Sequence, residues 1–359
     1  MAKRAARGGN GKARNHRTVN LALQGGGAHG AFTWGVLDRF LEDPTILIEG
    51  VSGTSAGAMN AVVMADGLVE GGPDGAREAL YKFWREVSRA SRGAPWQRTP
   101  LDMLVGNWSL DYSPGYLMMD LLGRVISPYS LNPLNINPLL TLIDDLVDFD
   151  RVRQCTDKKL YISATNVETG RIRIFEREEL TAKTVMASAC LPFLYQAVEI
   201  DGEAYWDGGY MGNPALFPFF DGCQSRDIVI VQINPICRPG VPHTAREIHN
   251  RVNEITFNGS LLRELRAINF VARLIDQGVL DESQYKHVLI HVVEADEALR
   301  PLTASSKLNA EWEFVMHLFD LGREAADAWI EQNIDQIGVR STVDLAAVFQ
   351  GRRVDDETD

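Results

Sequence analysis

The chain has 359 residues, of which 45% are hydrophobic and 23% charged, a composition typical of a globular protein with one large domain or two modest ones. No stretch approaches the roughly 18 uninterrupted apolar residues of a membrane-spanning helix, and the N-terminus lacks the apolar run of a signal peptide. We therefore expect a cytoplasmic protein and leave contact with a membrane surface open. The net charge is -12 although residues 1–17 contain only basic charges, so the body is strongly acidic, which argues against nucleic acid as a partner.

The two ends of the chain are predicted to be tails, a disordered basic one at 1–17 and an acidic one at 352–359. Residues 18–351 are expected to form one folded domain. The four cysteines lie far apart, without a C-x-x-C pair or histidines at zinc-finger spacing, which predicts reduced thiols and no structural metal. They are Cys155, Cys190, Cys223 and Cys237.

The chain opens with a β-α-β-α order of predicted elements. Residues 17–24 and 45–53 have the pattern of buried strands, and residues 31–43 have apolar positions at helical spacing. A second helix, rich in small residues, follows and is expected to end at Gly67, a suitable residue for a helix C-terminus. This order predicts parallel strands covered by helices on both faces.

Residues of about 72–150 differ in character, because Pro, Asn and Gly are mixed with large apolar residues without a steady period. We interpret this stretch as a cap-like insertion, which is either irregular packing at an edge of the core or a lid facing a substrate. Its apolar residues would suit an acyl-chain wall or an interfacial lid; they include Trp96, Leu101, Met103, Leu104, Trp108, Tyr116, Leu117 and Met118. Later predicted elements are two strands within 159–176, a helix stopped by Pro192, strands near 227–235 and 286–294, amphipathic helices at 244–276 and 308–332, and a short helix from 345.

The glycine cluster "GGGAHG" supports two hypotheses. Gly25, Gly27 and Gly30 have the G-x-G-x-x-G spacing of a dinucleotide-binding turn, and Glu49 supplies an acid about 20 residues further on for a ribose. Alternatively, the loop is an oxyanion hole, in which backbone N–H groups around Gly25, Gly26, Gly27 and Gly30 face an oxygen that becomes negative during acyl transfer. Both hypotheses need glycines, since side chains would block a close approach to the backbone.

The pentapeptide "GTSAG" follows the second predicted strand and precedes a helix, which is the context of a nucleophile elbow. Ser55 would be the nucleophile, while Gly53 and Gly57 relieve crowding at the sharp turn. Adjacent parallel strands place the loops at their carboxyl ends side by side, so amides near Gly26 and Gly27 could face the Ser55 hydroxyl. The oxyanion hypothesis explains both motifs, whereas the dinucleotide hypothesis gives no reason for the elbow.

A nucleophilic serine needs a base, and Asp207 in "WDGGY" is the better candidate. A carboxylate between a strand end and two glycines, Gly208 and Gly209, can approach a serine closely, and desolvation would raise its pKa into a useful range. No histidine lies in a turn-rich motif of catalytic appearance except His29, within the glycine loop. For His29 a functional and a structural role remain equally open.

Four motifs, "GGGAHG", "GTSAG", "SACLPFLY" and "DGGYMGNP", together resemble the patatin-like phospholipases. In order and approximate spacing they match that family's oxyanion loop, nucleophile elbow, Pro-containing segment and catalytic Asp motif, over residues of about 18–236. The resemblance implies a three-layer α/β/α sandwich with a mainly parallel sheet. It also implies a dyad of Ser55 and Asp207 without a histidine. The family often has Arg or Lys where this chain has His29, so a positive charge there is expected to depend on pH.

The resemblance further implies a lipid acyl hydrolase, such as a phospholipase A or a lysophospholipase-like esterase, that forms an acyl-serine and needs no cofactor or metal. The expected partner is a lipid or acyl-ester substrate. Two alternatives are an NAD(P)-binding oxidoreductase and a non-hydrolytic scaffold with the same fold. The head group, acyl position, oligomeric state and any activating partner are not determined by the sequence.

Overall fold

The computed structural model describes residues 16–350. The predicted acidic tail lies outside this range, and so does the predicted basic tail except for its last two residues. Arg17 is the first residue of the first strand, and its guanidinium forms an ion pair with Asp335 at 2.7 Å. The first strand therefore includes Arg17, a residue of the predicted basic tail.

One sheet contains the eight strands of the described residues. They are β1 (Arg17–Leu23), β2 (Ile46–Gly53), β3 (Lys159–Asn166), β4 (Ile172–Glu176), β5 (Val198–Ile200), β6 (Glu203–Asp207), β7 (Asp227–Val231) and β8 (Leu289–Val293). The order is β5-β6-β3-β2-β1-β7-β8, with β4 also pairing with β3. The five neighbouring strands β3, β2, β1, β7 and β8 are parallel to one another. The other three are antiparallel to their partners, since β4 and β6 pair with β3 and β5 pairs with β6. The mainly parallel sheet is confirmed, while the short β5-β6 hairpin was missed because β5 has only three residues.

The helices cover both faces of this sheet. They are α1 (Gly30–Glu42), α2 (Ala56–Ser91), α3 (Pro100–Leu104), α4 (Pro114–Val125), α5 (Pro128–Leu131), α6 (Pro138–Leu146), α7 (Phe149–Gln154), α8 (Ala182–Ser188), α9 (Pro218–Gly222), α10 (Ala245–Asp276), α11 (Asp296–Leu299), α12 (Trp312–Asn333) and α13 (Leu345–Gln350). No helix within 16–350 combines the length and the apolar character that crossing a bilayer requires.

Side chains of β1 alternate between two cores, as expected for a sheet buried on both faces. Leu21 and Leu23 belong to the larger core with α1, α2 and α12, where Phe32 is fully buried. Ala22 belongs to the second core, in which Leu261 of α10 packs together with α9 and α13. The predicted three-layer α/β/α fold is confirmed.

The second helix does not end at Gly67, contrary to prediction. It continues to a break at Gly71 and Gly72, where Gly72 has φ 64° and ψ -153°, and it resumes at Pro73. This conformation is nearly confined to glycine, and proline suits the first turn of the new helical arm.

The second arm of α2, residues 73–91, folds back along the first arm. Trp84 donates a hydrogen bond from Nε1 to Oδ1 of Asn60 at 3.0 Å, and a Cβ placed on Gly67 would lie 2.5 Å from the carbonyl oxygen of Gly75. Gly67 therefore permits two helical arms to touch instead of ending a helix. The second arm is part of the core, so the stretch of irregular character begins after it and not at about 72.

Residues after α2 form five short helices, α3 to α7. Four of them begin with a capping side chain followed by proline, at Thr99, Ser113, Ser127 and Asn137. Frequent capped starts explain why the sequence shows no steady period here. The helix α4 has no buried residue, so this part of the chain presents a large surface to solvent.

Candidate active site

The glycine loop and the serine elbow lie side by side at the carboxyl edge of the sheet. β1 and β2 are adjacent and parallel, and each leads directly into one of the two loops. A Cβ placed on Gly25 would lie 2.8 Å from the Cβ of Ser55. The two loops therefore meet as the sequence predicts.

Ser55 has the backbone strain of a nucleophile elbow, with φ 53° and ψ -118°. Its N–H donates to Oγ of Ser188 at 2.8 Å, which holds the turn. Among residues Gly53–Gly57, Ser55 alone is not buried. A Cβ on Gly57 would lie 2.2 Å from the carbonyl oxygen of Leu23, so only glycine permits the close passage of α2 over β1. Gly53, the last residue of β2, likewise packs against the backbone of Gly57.

Asp207 ends β6 and is 1% exposed. Burial raises the pKa of its carboxyl to about 6, although the hydrogen bond from the Gly209 amide and the neighbouring Ser55 hydroxyl act in the opposite direction. The Gly209 N–H donates to Oδ1 at 2.7 Å, and the Asp207 N–H donates to the carbonyl oxygen of Cys190 at 2.8 Å. The fold thus places the Ser55 hydroxyl beside the Asp207 carboxyl, close enough to affect its pKa, without a histidine between them.

The two glycines after Asp207 allow neighbouring elements to pack directly on this turn. A Cβ on Gly208 would lie 2.2 Å from the carbonyl oxygen of Ser163 in β3, and one on Gly209 would lie 2.3 Å from Cε1 of Phe257 in α10. The "DGG" turn therefore sits between the sheet and α10.

Two of the four glycines predicted for the oxyanion hole have their amides engaged elsewhere. The Gly25 N–H donates to Oδ1 of Asn213 at 2.6 Å, and the Gly30 N–H bonds within its own turn, so neither amide is free for a substrate oxygen. Within residues 16–350, no hydrogen bond uses the amides of Gly26 and Gly27. Gly27 is exposed and has φ 57°. The candidate oxyanion donors are thus narrowed to Gly26 and Gly27.

His29 is buried and neutral, which contradicts the expected pH-dependent positive charge. Its Nε2 lies 2.8 Å from Oγ of Ser306, and burial, together with the charge of Lys307, lowers the pKa of the imidazole to about 3. The ring therefore stays uncharged throughout the physiological range. Its position is structural, against Ser306 and the ring of Phe314.

Glu49 lies at the wrong end of the sheet for a ribose partner. Its carboxylate accepts hydrogen bonds from the amides of Gln224 at 2.6 Å and Ser225 at 2.8 Å. These residues precede β7, at the amino edge, whereas the glycine loop lies at the carboxyl edge. The dinucleotide hypothesis thereby loses its acidic residue.

Several polar residues around the site were not predicted. Asn213 and Ser188 lie inside the motifs "DGGYMGNP" and "SACLPFLY", so those motifs contained a usable signal. Asn234 and Lys307 lie in no motif that could have pointed to them. Asn234 follows a plain strand about 180 residues beyond the elbow, and Lys307 occupies a short turn about 250 residues beyond it.

The fold and this edge of the sheet define a class: a three-layer α/β/α protein with a strained serine elbow beside a glycine loop. The family model of the patatin-like phospholipases matches residues 21–220, more than half of the chain. The chain therefore belongs to the patatin-like phospholipase family, and the resemblance noted in the sequence is confirmed. Membership indicates a lipid hydrolase at the level of the family.

Among curated proteins, the chain is similar to the uncharacterized protein R571 of Acanthamoeba polyphaga mimivirus, at 27% identity over 214 residues. The match covers 56% of this chain and 61% of R571, so it spans less than two thirds of that relative. Among solved structures it is similar to VipD from Legionella pneumophila, at 15% identity and a TM-score of 0.32, over 96% of this chain and 81% of VipD. A second is ExoU of the Pseudomonas aeruginosa type III secretion system, in complex with SpcU, at 15% identity and a TM-score of 0.33, over 87% of this chain and 53% of ExoU.

Proposed function

We propose that the protein is a lipid acyl hydrolase, of the phospholipase A or lysophospholipase type, that cleaves fatty acyl esters through Ser55 and Asp207. The observation that carries the proposal is the position of the Ser55 hydroxyl beside the buried Asp207 carboxyl, close enough to lower the pKa of that carboxyl. With a pKa of about 6, this carboxyl is ionised at neutral pH and yet is a stronger base than an ordinary aspartate.

In the proposed reaction Asp207 accepts the hydroxyl proton while Oγ of Ser55 attacks the ester carbonyl carbon. The carbonyl oxygen becomes negative and is stabilised by the amides of Gly26 and Gly27 and by the N-terminal end of α2. The intermediate then collapses to an acyl-serine, and Asp207 returns the proton to the departing alcohol. Water, deprotonated by Asp207, releases the fatty acid and restores the Ser55 hydroxyl.

An exposed apolar surface supports a lipid as the substrate and contact with a lipid interface. We call it the apolar surface; it consists of Leu101, Met103, Leu104, Val105, Leu117, Met118, Leu121, Val125, Leu131, Leu134 and Ile136, each at least 44% exposed. All of them lie within residues 101–136, and exposed apolar patches larger than a few hundred Å² mark sites that bind a protein, a membrane or a ligand. Asp120 and Arg124, the charged residues of 101–136 that are not buried, form an ion pair at 2.9 Å, so the surface has little net charge.

A loop at 189–197 joins the apolar surface to the dyad. At one end the carbonyl oxygen of Cys190 accepts from the Asp207 N–H. At the other end Gln196 donates to the carbonyl oxygen of Asn132 at 2.8 Å, within the segment that forms the apolar surface. This connection favours an acyl chain that enters from the apolar surface toward Ser55.

The experiment that tests the function is intact mass after treatment with a serine-directed fluorophosphonate. We expect one adduct on the wild type, none on Ser55→Ala, and labelling of Asp207→Asn slowed by about 10³-fold or more, since an activated serine loses its base. Asp201→Asn, in the exposed turn between β5 and β6, is the matched control and should label normally.

Thermal unfolding of each variant establishes that its fold is intact. Wild-type labelling of either dyad variant would refute the proposed roles. A folded wild type that forms no adduct would support a non-hydrolytic scaffold instead.

A further inference from the structure

A lysine ammonium, contributed from far along the chain, lies behind the glycine loop. Lys307 belongs to the short turn Ser305–Leu308, and a Cβ on Gly27 would lie only 2.3 Å from the carbonyl oxygen of Lys307. The neighbouring Ser306 is the hydrogen-bond partner of His29. The turn is therefore packed directly against the loop that contains the candidate oxyanion amides.

Two hydrogen bonds connect the ammonium to one of those amides. Nζ of Lys307 donates to Oδ1 of Asn234 at 2.8 Å, and Nδ2 of Asn234 donates to the carbonyl oxygen of Gly25 at 2.8 Å. This carbonyl shares its peptide group with the N–H of Gly26. Hydrogen bonds in series polarise one another, so a positive charge at Lys307 makes the Gly26 N–H a stronger donor.

The same ammonium acts on the dyad through its field. Nζ lies 5.5 Å from the centre of the Phe257 ring, and this ring packs on Gly209, whose amide holds the Asp207 carboxylate. The charge of Lys307 lowers the pKa of Asp207, and that of Asp207 raises the pKa of Lys307. Burial outweighs this attraction and lowers the pKa of Lys307 to about 8.

Other titratable groups that face Lys307 do not supply a competing cation. His29, from the glycine loop, is neutral. Glu254, from α10, is already held by Arg238 at 2.5 Å and by Arg251 at 3.2 Å. The charge of Glu254 still raises the pKa of Lys307, and by more than that of Asp207 does, so both carboxylates favour the charged ammonium.

We propose that Lys307 is the positioning cation of the site: through Asn234 it polarises the Gly25–Gly26 peptide toward the oxyanion, and its field keeps Asp207 ionised. The positive charge comes from the turn Ser305–Leu308 and not from the glycine loop. The inference rests on the proposed function and adds a residue to it.

The test compares Lys307→Met, which removes the charge but keeps the chain length, with Lys307→Arg, which restores a charge. Lys286→Met is the matched control, because Lys286 donates to main-chain carbonyls near Cys223 at the opposite edge. The kcat and KM for 4-nitrophenyl butyrate are measured from pH 4.5 to 9.5 with folded protein.

For Lys307→Met we expect kcat to fall about tenfold or more with little change in KM, since the loss is confined to the transition state. The acid limb of the pH profile should move above its wild-type position near pH 6, because Asp207 loses the charge that lowers its pKa. The alkaline limb near pH 8 should vanish with the ammonium. Lys307→Arg should recover part of kcat and the acid limb, and Lys286→Met should match the wild type.

An equal loss at every pH, with both limbs unmoved, would assign Lys307 to packing alone and overturn the inference. An unchanged kcat in folded Lys307→Met would overturn it as well. Both results leave the proposed function intact, because Ser55→Ala in the same assay reports on that separately. Only a wild type without hydrolysis or labelling would overturn the two together.

Discussion

At the scale of single residues, the environment of Asp207 that suits a base also costs stability. The carboxyl is buried, and its pKa is raised from an ordinary 3.8 to about 6. Because the fold favours the neutral carboxyl, ionisation of Asp207 lowers the free energy of unfolding, and the full loss is reached once the pH exceeds about 6. Sites of this kind are where natural proteins trade stability for function.

We predict that Asp207→Asn is more stable than the wild type at pH 7.5 while it is inactive. The unfolded carboxyl ionises near pH 4 and the folded one near pH 6, so the wild type loses stability across that interval and the variant does not. The advantage should be on the order of 2 kcal/mol above pH 6 and absent below pH 4.

Urea unfolding at pH 3.5 and 7.5 measures this difference. Asp201→Asn, in an exposed turn, should show no such pH dependence. A variant less stable than the wild type at both pH values would mean that the carboxylate contributes more by its hydrogen bonds than it costs by burial.

At the scale of elements, the short helices α3 to α5 hold apolar side chains in water at a cost that a lipid interface would remove. The helix α4 places Leu117, Leu121 and Val125 on one arc of its surface, where they are 44%, 61% and 78% exposed. Capped, Pro-initiated starts fix these helices without burying them in the core. Such a face is suited to partial insertion between lipid chains.

We predict that the triple variant Leu104→Ser, Leu121→Ser, Val125→Ser loses roughly tenfold or more in hydrolysis of phosphatidylcholine vesicles but keeps its turnover of 4-nitrophenyl butyrate. Each fully buried side chain of this kind is worth about 1.5–3 kcal/mol, and partial insertion realises a fraction of it. Because the surface has little net charge, the vesicle activity should depend weakly on salt.

The control for this prediction is the double variant Val279→Ser, Val339→Ser, whose side chains are both 65% exposed and lie outside the apolar surface. Vesicle assays of the two variants, with the short ester in parallel, separate interfacial binding from chemistry. Equal losses on vesicles and on the short ester would count against the apolar surface.

At the scale of the whole molecule, a cluster of ion pairs connects helices α1, α2 and α12, which pack on the larger core. Asp38 of α1 is paired with Arg77 from the second arm of α2 and with Arg323 of α12, and Glu42 binds the same two arginines. The hydrogen bond from Arg323 lowers the pKa of Glu42. Three helices that are distant in sequence are thereby held together.

We predict that Arg323→Met lowers the free energy of unfolding by about 1–3 kcal/mol at pH 7, because the buried Asp38 loses a partner. The pKa of Glu42 is lowered in the fold, so its contribution is present above its ordinary pKa of 4.5 and is lost as the pH falls through the lowered value. The difference between variant and wild type should therefore shrink in acid.

Denaturant titrations at pH 7 and pH 3 check this expectation. Arg39→Met is the matched control, since Arg39 pairs with the exposed Asp327 and should change the stability by about 0.5 kcal/mol or less. If both variants lowered the free energy of unfolding equally, the cluster would contribute no more than an exposed ion pair does.

Local pattern was sufficient for much of the molecule. The alternation of strands and helices predicts the parallel three-layer fold, and "GTSAG" and "WDGGY" identify Ser55 and Asp207, whose catalytic roles remain predictions. These features depend on spacing along the chain and on backbone shapes that few residues permit. The same reliance on local pattern produced the wrong helix end at Gly67, because a glycine that ends a helix and one that lets two helical arms touch look alike in sequence.

The features that only the tertiary structure decided involve residues that are far apart in the chain. Burial makes His29 neutral, Asn213 engages the Gly25 amide, and Lys307 reaches the glycine loop from a turn about 280 residues later. The sequence by itself determined most strands and helices of the core and the position of the candidate nucleophile. Which amides are free and where the positive charge lies follow from desolvation and three-dimensional contact, which no local pattern records.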